Sequence, residues 1–539
     1  MFNLVHEAWI PVMRKSGERE SIRPTELVDN YTHDPIIALD AQRPDFNGAL
    51  IQFLIGLVQT TCPPINDREW RKKFSEPPSS NDLKSSFERY TDAFNLDGEG
   101  ARFMQDLNLS EKEGKPNQID QLLMEMPGEK TIEDNTDHFQ KAGTVKQICL
   151  RCCAMALFTL QTNAPLGGRG HRTSVRGGGP LTTVVVGRTL WETVWLNVLN
   201  AETFSTYGNS GKMSLPDLFP WMGPTRTSEP KGPEKKGQET TSQHVNPVQM
   251  FWGMPRRIRL VYESSEKQSP CDLCGDLSTQ YLTKYLDKGH GNNYRDWHHV
   301  LTPYSVDEET ETRWPKLMRP GDISYRNWTG LVQNSFENKS RTEPAVVVHT
   351  FWNERQDKLP ENNRIPYRLW TFGYHTNQNT AMGWYEGTMP LIHIDPGIRP
   401  EYEAIVGRMV KTARLIASNV RKCIKKALFD PKAKISGDLW SVDSQFWQNT
   451  ESSFYQVMNE LKTTLETRQE TTPLKLRWLG ILSNEGEILF DRYSQSNLIS
   501  VADPERIATG HRDLMRYCSP YNKLIIQLLD LKKTEGEQK

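Results

Sequence analysis

Two C-x-x-C pairs set the strongest constraint on how this chain can fold. "CLRCC" contains Cys149 and Cys152, and "PCDLCG" contains Cys271 and Cys274. Four cysteine thiolates suit the closed, tetrahedral coordination of a structural Zn²⁺, which would join segments more than one hundred residues apart. Because this separation is far longer than in a compact zinc ribbon, two unrelated pairs of buried thiols are the alternative.

Length and composition limit the classes of protein to which this chain can belong. With 539 residues it is too long for one ordinary core, so we expect two domains. The net charge of −1 means that any nucleic-acid site must be a local basic patch. The longest apolar run, residues 49–58, is too short to span a membrane, and the N-terminal stretch lacks a signal-like segment. We therefore expect a cytoplasmic protein that makes no membrane contact.

Apolar periodicity divides the chain into a mixed region and a helical region. Helical patterns such as "RPDFNGALIQFLIGLVQTT" and "CAMALFTLQT" alternate with strand-like ones such as "FNLVHEAWIPVM", "PLTTVVVG", "PAVVVHTFW" and "YRLWTFGY". Residues 224–247 are rich in Pro, Gly, Lys and Glu and predict a mobile loop. The predicted fold class is α+β, with a large mixed domain over 1–396 and a C-terminal four-helix bundle over 397–539.

The bundle prediction rests on four helical patterns. The apolar residues of the first recur at spacings of three or four and form one stripe: Tyr402, Ile405, Met409, Ala413, Ile416, Val420, Ile424 and Leu428. Residues 446–465, 474–493 and 505–532 supply the other three helices. Gly486 lies inside the third pattern and weakens the helix prediction there.

The segment "NAPLGGRGHRTSVRGGGP", residues 163–180, favours binding of an anion. Exposed glycine N–H groups bind anions, and residues 138–191 contain seven Lys or Arg with no Asp or Glu. The motif G-x-x-x-x-G-K-[ST] is absent, so the segment is not expected to be a nucleotide-hydrolysing loop. This composition suits the backbone of a nucleic acid, and a flexible surface loop with incidental arginines is the alternative.

Two further patterns are compatible with nucleic-acid binding. The amides of "TNQNT" in a predicted turn can hydrogen-bond base edges, although such turns are common for conformational reasons. The first bundle helix carries seven Lys or Arg between residues 408 and 426. That charge run is either a solvated helix face or a groove for single-stranded nucleic acid.

Taken in order, these motifs resemble the CasA family, the large subunit of the prokaryotic type I-E CRISPR surveillance complex Cascade. The resemblance begins at "FNLVHEAWIPV" and continues through the first C-x-x-C, "NAP", the glycine segment and the long helix expected over "LWETVWLNVL". It resumes at "GMPRRIRL" with the second C-x-x-C, then at "NQN" and in the terminal helices. It implies a protein that reads a short protospacer-adjacent motif (PAM) on duplex DNA, while guide RNA reads the sequence by base pairing.

The resemblance assigns roles to particular residues of this chain. Gly167, Gly168 and Gly170 match a glycine loop that reads the PAM from the minor groove, although Arg169 interrupts it. "RGGGP" is then expected to form a tight turn into the following strand. Gln378 matches a wedge that starts strand separation, flanked by Asn377 and Asn379.

Other assignments complete the implied site. Lys288, with Lys284 as the alternative, matches a lysine in the minor groove. His138 or Phe139 matches an aromatic residue that approaches the PAM and the 5′ handle of the guide RNA.

The implied function is non-catalytic, and its partners are target DNA, guide RNA, the backbone, handle-binding and small Cascade subunits, and a recruited nuclease-helicase. The four cysteines would hold Zn²⁺ and fix the DNA-reading loops. Lys411, Lys422 and Lys425 would hold the displaced DNA strand. The alternatives are a zinc-containing nuclease and a generic RNA-binding scaffold. The sequence shows no acidic cluster of the kind that a metal-dependent nuclease needs.

Overall fold

The computed structural model describes the chain except residues 128–132, 134–140, 169, 231–236, 322, 338, 360–366, 378–379, 431–438, 496–502 and 532–539. It divides into two compact units. The first comprises Met1–Pro320, Pro344–Leu359 and Arg368–Gly387, and the second comprises Gly321–Glu343, Pro360–Tyr367 and Thr388–Lys539.

Most strands lie in the first unit. The strands are β1 (Ile10–Arg14), β2 (Arg19–Ile22), β3 (Ile36–Leu39), β4 (Lys115–Gln118), β5 (Ile148–Cys149), β6 (Thr182–Val186), β7 (Glu239–Thr240), β8 (Arg257–Pro270), β9 (Leu277–Lys288), β10 (Asn293–Tyr294), β11 (Tyr304–Asp307), β12 (Arg313–Pro315), β13 (Ser335–Glu337), β14 (Ser340–Glu343), β15 (Tyr367–Asn377) and β16 (Thr380–Leu391). Three small sheets matter for the site: β2-β1-β3, β16-β15-β6, and a sheet in which β4, β5 and β8 all pair with β9.

The longest helices, of 30, 27 and 24 residues, lie in the second unit. They are α1 (Pro44–Thr61), α2 (Asp67–Ser75), α3 (Ser80–Glu88), α4 (Leu150–Asn163), α5 (Leu190–Leu196), α6 (Ala201–Ser205), α7 (Leu215–Leu218), α8 (Trp328–Leu331), α9 (Val346–Thr350), α10 (Arg399–Leu428), α11 (Trp440–Glu466), α12 (Thr472–Gln495), α13 (Pro504–Tyr517) and α14 (Lys523–Leu529). The mixed α and β content and the helical C-terminal region confirm that part of the fold prediction.

Helix α1 lies at the centre of the first unit's core, as its apolar sequence predicts. The Phe53 ring contacts Trp9, Phe158 and Trp252 edge-on, with centroids 5.1, 5.7 and 5.7 Å apart. Such edge-on aromatic contacts add specific geometry to apolar burial. Helix α4 is also buried and ends at Asn163, directly before the glycine-rich segment.

In the second unit, α10 packs against α11, α12, α13 and α14. All of the predicted apolar stripe except Leu428 is buried. Gly486 has a packing role, because a Cβ there would lie 2.8 Å from Val420 Cγ2 on α10. The Tyr325 ring stacks on Phe454 at 4.3 Å between centroids and closes this core.

Two predicted elements are wrong in type or extent. "PAVVVHTFW" forms α9 and a following helical turn instead of a strand, with Val347 and Val348 fully buried. Tertiary packing of the valines outweighs their β preference. The predicted helix 505–532 is two helices, α13 and α14, because Pro520 lacks an N–H and Asn522 caps a new helix.

Two predicted elements are shorter than their sequence patterns. In "FNLVHEAWIPVM", only Ile10 onward is a strand, since the Asn3 side chain stabilises a turn before it by accepting from Val5 N–H at 2.9 Å. In "LWETVWLNVL" the helix ends at Leu196. The Asn197 amide instead makes two hydrogen bonds to the Val185 backbone on β6, of 2.9 and 2.8 Å.

The segment 224–247 is anchored where the structure describes it, contrary to the predicted mobile loop. Ser228 is fully buried, and its N–H donates to His290 O at 3.0 Å. Its hydroxyl donates to Gly291 O at 2.8 Å and accepts from Arg172 Nε at 2.8 Å. The polar composition of the segment did not indicate that Ser228 would be buried.

Candidate nucleic-acid interface and metal centre

The glycine-rich segment begins on a firmly held backbone. The carbonyl of Asn163 accepts from Gly179 N–H at 3.3 Å, and that of Ala164 accepts from Ser174 N–H at 3.0 Å. The Pro165 carbonyl accepts from Arg256 Nη2 at 2.5 Å. The start of the loop is therefore fixed before the first glycine.

Gly170 joins the glycine loop to the end of β9. Its φ of +80° favours glycine, and a Cβ there would lie 2.6 Å from the His290 imidazole. The His290 N–H donates to the Gly170 carbonyl at 2.9 Å. Because His290 follows Lys288 by two residues, the loop and the predicted minor-groove lysine lie on adjoining segments.

His171 makes a second connection between the loop and β9. Its Nε2 lies 2.7 Å from Asp287 Oδ2, and its Nδ1 lies 2.8 Å from the Gly168 carbonyl. At Gly168, in contrast, no described atom lies within 4 Å of the place that a Cβ would occupy, so open space lies beside it. The predicted glycine loop is therefore fixed through Gly170 and His171 and faces open space at Gly168.

"RGGGP" forms the tight turn that its glycines suggest, and it packs against β15. Gly177 and Gly179 have φ values of +86° and +65°, and a Cβ at Gly179 would lie 2.2 Å from Tyr374 O. Thr376 Oγ1 donates to Gly178 O at 3.3 Å. The turn thus lies beside the end of β15.

Asn377 is the exposed last residue of β15, and β16 begins at Thr380. Gln378 and Asn379 lie outside the described residues, as do Arg169, His138 and Phe139. The roles assigned to these five residues remain predictions.

Lys288 and Lys284 both lie on β9, four residues apart. Lys288 Nζ lies 3.6 Å from Glu113 Oε1 and 4.0 Å from Glu229 Oε1, and the side chain is 30% exposed. Lys284 is exposed and pairs in register with Gln118 of β4. Lys288 is the nearer of the two along β9 to the glycine loop, which supports its choice.

Only part of the basic composition around the glycine segment becomes exposed charge, as at Lys141 and Lys146. Arg151 pairs with Asp276, and Arg172 donates to Ser228. Arg176 is buried, where its guanidinium donates to Thr182 and Thr302 hydroxyls at 2.9 and 3.2 Å. These arginines stabilise the fold, so the predicted cationic surface is smaller than the sequence count indicates.

Helix α10 carries exposed lysines on one face. At 3.6 residues per turn, Lys422 and Lys425 lie within about 40° of Lys411 around the helix axis. All three are exposed, and they make no ion pair with any residue that the structure describes. The other basic residues of this helix are engaged: Arg408 with Asp530, Arg414 with Glu337, Arg421 with Asp443 and Lys426 with Asp513.

The four cysteines of the two C-x-x-C pairs come together, which rejects the alternative of unrelated pairs. Their sulfurs all lie within 4.8 Å of one another, and Cys149 Sγ is 3.7 Å from Cys274 Sγ. Zinc–sulfur bonds of about 2.3 Å in a tetrahedron place sulfurs about 3.8 Å apart, so this donor set fits Zn²⁺. The identity of the metal remains a prediction.

The elements around the cluster explain its formation. Cys271 and Cys274 lie in the turn between β8 and β9, whereas Cys149 ends β5, which pairs with β9, and caps α4. The Cys149 N–H donates to Cys271 Sγ at 3.3 Å, and the Cys152 N–H donates to Cys149 Sγ at 3.5 Å. Backbone donors of this kind stabilise thiolates.

The cluster's sulfurs differ in acidity. A hydrogen bond from the Cys152 thiol lowers the pKa of Cys274 to about 6. Hydrogen bonds from the Cys149 and Cys152 thiols also lower the pKa of Cys271. Cysteine binds metals as the thiolate, which these hydrogen bonds favour at Cys271 and Cys274, whereas the pKa values of Cys149 and Cys152 are raised.

Sequence reasoning missed His171, Asp287 and His290, which connect the glycine loop to β9. The "KGHG" stretch places a histidine between polar and glycine residues, but nothing in it shows which distant loop it contacts. Only the pairing of β9 with its neighbours brings these side chains to residues 167–171.

None of the described helices combines the length and apolar composition needed to cross a membrane. Among curated proteins, 236 residues of this chain are 21% identical to Superkiller complex protein 3 of Homo sapiens. That match includes 42% of this chain and spans only 14% of the human protein, and it carries no argument about function.

Solved structures with the same fold cover nearly the whole chain. The Thermobifida fusca Cse1 crystal structure has a TM-score of 0.68 at 16% identity, covering 98% of both chains. CasA of Thermus thermophilus has a TM-score of 0.67 at 16% identity, covering 96% of this chain and 99% of that one. A chain of a CRISPR RNA-guided surveillance complex has a TM-score of 0.62 at 16% identity, with 96% and 99% coverage.

The family model described as CRISPR-associated protein Cse1 matches residues 3–486. Because this match includes most of the chain, the protein belongs to the Cse1 family, for which CasA is the other name.

Proposed function

We propose that this chain is the non-catalytic large subunit of an RNA-guided CRISPR surveillance complex. It recognises the PAM of target duplex DNA from the minor groove and starts strand separation for R-loop formation. It then helps to recruit a separate nuclease-helicase. Its membership of the Cse1 family supports the assignment to such a complex.

The observation that carries this proposal is the convergence of three distant segments in the first unit. The glycine loop is bonded to the end of β9 through Gly170 and His290, and the "RGGGP" turn contacts the end of β15 through Gly178 and Thr376. Direct contacts thus link the proposed minor-groove loop with the segment that follows Lys288 and with the strand that leads to the proposed wedge. Such convergence suits a reader that must contact one short stretch of duplex.

The glycine loop suits close approach of a DNA backbone at Gly168. No described protein atom lies within 4 Å of a Cβ position there, so a side chain would project into open space instead of into the core. Glycine leaves that space for the ligand and exposes N–H groups to phosphate oxygens. The minor groove presents a degenerate pattern of donors and acceptors, so a reader of this kind tolerates several motifs.

The wedge role belongs to Gln378, between the ends of β15 and β16. β15 lies in the middle of a three-stranded sheet and pairs with β6 from Arg368 to Phe372, so the strand that leads to Gln378 is held in a sheet. Inserting a side chain into a base step costs a few kcal/mol, roughly, which the nascent RNA–DNA heteroduplex and new contacts offset.

Other residues complete the proposed activity. The four cysteines would hold Zn²⁺, which when bound ties the β8–β9 turn to the start of α4. The exposed lysines of α10 would hold the displaced strand. His138 or Phe139 would approach the guide RNA handle.

A single added methyl group at Gly168 tests the proposal. We expect Gly168→Ala, in the assembled complex with guide RNA, to weaken binding of a PAM-bearing duplex by about tenfold, because a base or phosphate contact is lost. Binding should be compared with a scrambled-PAM duplex by filter binding or interferometry.

Gln378→Ala should slow R-loop formation on the same duplex.

The matched control is Gly480→Ala, which also adds a methyl group in open space, on α12. It should leave DNA binding unchanged. Equal affinity of the wild-type complex for PAM and scrambled duplexes would reject the proposed function. Unchanged binding by Gly168→Ala alone would reject the role of the glycine loop.

A further inference from the structure

Leu166, the residue directly before the glycine loop, is half exposed. Its relative exposure is 50%, although it is a large apolar residue flanked by buried or bonded neighbours. A single exposed leucine on a surface needs no explanation by itself. Leu166 does need an explanation, because its side chain is exposed although its backbone is fixed on both sides.

The backbone on both sides of Leu166 is fixed by contacts to three other residues, Arg256, His171 and Gly178. Arg256 Nη2 binds the Pro165 carbonyl at 2.5 Å, and the Gly167 N–H donates to His171 O at 3.3 Å. A Cβ on Gly178 would lie only 2.9 Å from Pro165 Cα and 3.4 Å from Leu166 N. The close approach of the "RGGGP" turn leaves the backbone at Leu166 no room on that side.

A second exposed leucine lies near the same turn. Leu317 is 38% exposed, and its Cδ2 lies 3.4 Å from a Cβ position on Gly177. The turn therefore approaches both Leu317 and the backbone at Leu166 closely. Proteins that kink DNA from the minor groove use rigidly held apolar side chains of this kind as wedges between base steps.

We propose that Leu166 is a second wedge, which inserts its isobutyl group into the minor groove at a base step beside the glycine loop. This inference rests on the proposed function, since it takes the minor groove as the ligand of that loop. Leu166 partly unstacks the step that Gln378 then opens. The held backbone means that little conformational freedom is lost when the side chain enters the stack.

A fluorescent base analogue tests this role in the assembled complex with guide RNA. A duplex with 2-aminopurine at each PAM-proximal position in turn reports local unstacking as increased fluorescence. We expect Leu166→Ala to abolish most of the increase at one position and to slow R-loop formation about tenfold, since unstacking is no longer supported by the side chain. Leu166→Met, which keeps an apolar chain of similar length, should restore both.

The matched control is Leu215→Ala, which removes a leucine of similar exposure, 42%, on α7. It should change neither signal. A normal fluorescence increase and R-loop rate in Leu166→Ala, while the wild type discriminates PAM from scrambled duplex, would overturn this inference alone. A wild-type complex without PAM discrimination would overturn the proposed function and this inference with it. Thermal melting of each variant checks that the side chain, and not the fold, causes the change.

Discussion

The glycine loop and the lysine face of α10 are both assigned to DNA, yet they are built in opposite ways. The loop is bonded through Gly170 to His290, just after β9, and the following "RGGGP" turn accepts a hydrogen bond from the Thr376 hydroxyl of β15. The nearby Arg172 and Arg176 make hydrogen bonds within the protein. The α10 face instead presents Lys411, Lys422 and Lys425 without ion-pair partners in the described part of the chain.

Reading and holding DNA place different demands on a protein. Reading a short motif depends on short-range fit, so small steric changes should matter and salt should matter little. Holding a single strand depends on charge, so it tolerates mobile side chains and weakens as salt rises. Each prediction below tests one side of this contrast.

The largest effect should follow from loss of a cysteine ligand. Cys271→Ser removes one of the four sulfurs, so the β8–β9 turn is no longer joined to the start of α4 through a metal. We expect a loss of about 4 kcal/mol or more in the free energy of unfolding, as for other structural metal sites. Chemical denaturation and zinc quantification measure this. PAM binding should fall, and the salt dependence of single-strand binding should not change.

The control for this variant is Cys62→Ser, a half-buried thiol outside the cluster. It should cost about 1 kcal/mol or less and leave the metal content unchanged. A wild-type protein that contains no zinc, or a Cys271→Ser variant of normal stability, would contradict the structural metal.

Next in size is the effect of a methyl group on Gly170. Gly170→Ala should cost about 3 kcal/mol in unfolding free energy, because a positive φ is unfavourable for alanine and the new Cβ meets His290. Gly168→Ala should change stability by less than about 0.5 kcal/mol. The double variant Gly170→Ala/His290→Ala separates the two causes, since it removes the clash and keeps the backbone strain. Equal stabilities of the two single variants would contradict the held geometry of the loop.

The sequence predicted those parts of the site that depend on local pattern. The periodicity of α10, the buried helices α1 and α4, and the tight turn at Gly177–Gly179 follow from short-range spacing and backbone preference. The meeting of Cys149 with Cys274 could also be predicted, because thiolates at this spacing share one coordination geometry.

The parts that could not be predicted depend on contacts between distant segments. No local pattern shows that His290 packs under Gly170, or that Arg176 is buried with neutral partners. The valines of α9 favour a strand by propensity, and only their burial makes them helical. Because contacts between distant segments also bury Arg176, the number of arginines overestimated the charge available to DNA near the glycine loop.

The smallest effect should come from the lysine face of α10. Replacing Lys411, Lys422 and Lys425 by Gln should make the slope of log K against log salt shallower by about 2, since each phosphate contact on a single strand contributes about 0.7. Titrations of the assembled complex with displaced-strand DNA at several salt concentrations measure the slope. PAM discrimination should be unchanged, because the glycine loop keeps its geometry.

The matched control for these lysines changes the net charge by the same amount at residues whose charge is already paired. Arg408, Arg421 and Lys426 have carboxylate partners in Asp530, Asp443 and Asp513. Their replacement by Gln should reduce the salt slope much less, because a paired cation releases fewer counterions from DNA. An equal reduction by both triple variants would mean that α10 acts only through its overall charge. The lysine face would then be an ordinary solvated surface, and the contrast with the glycine loop would be lost.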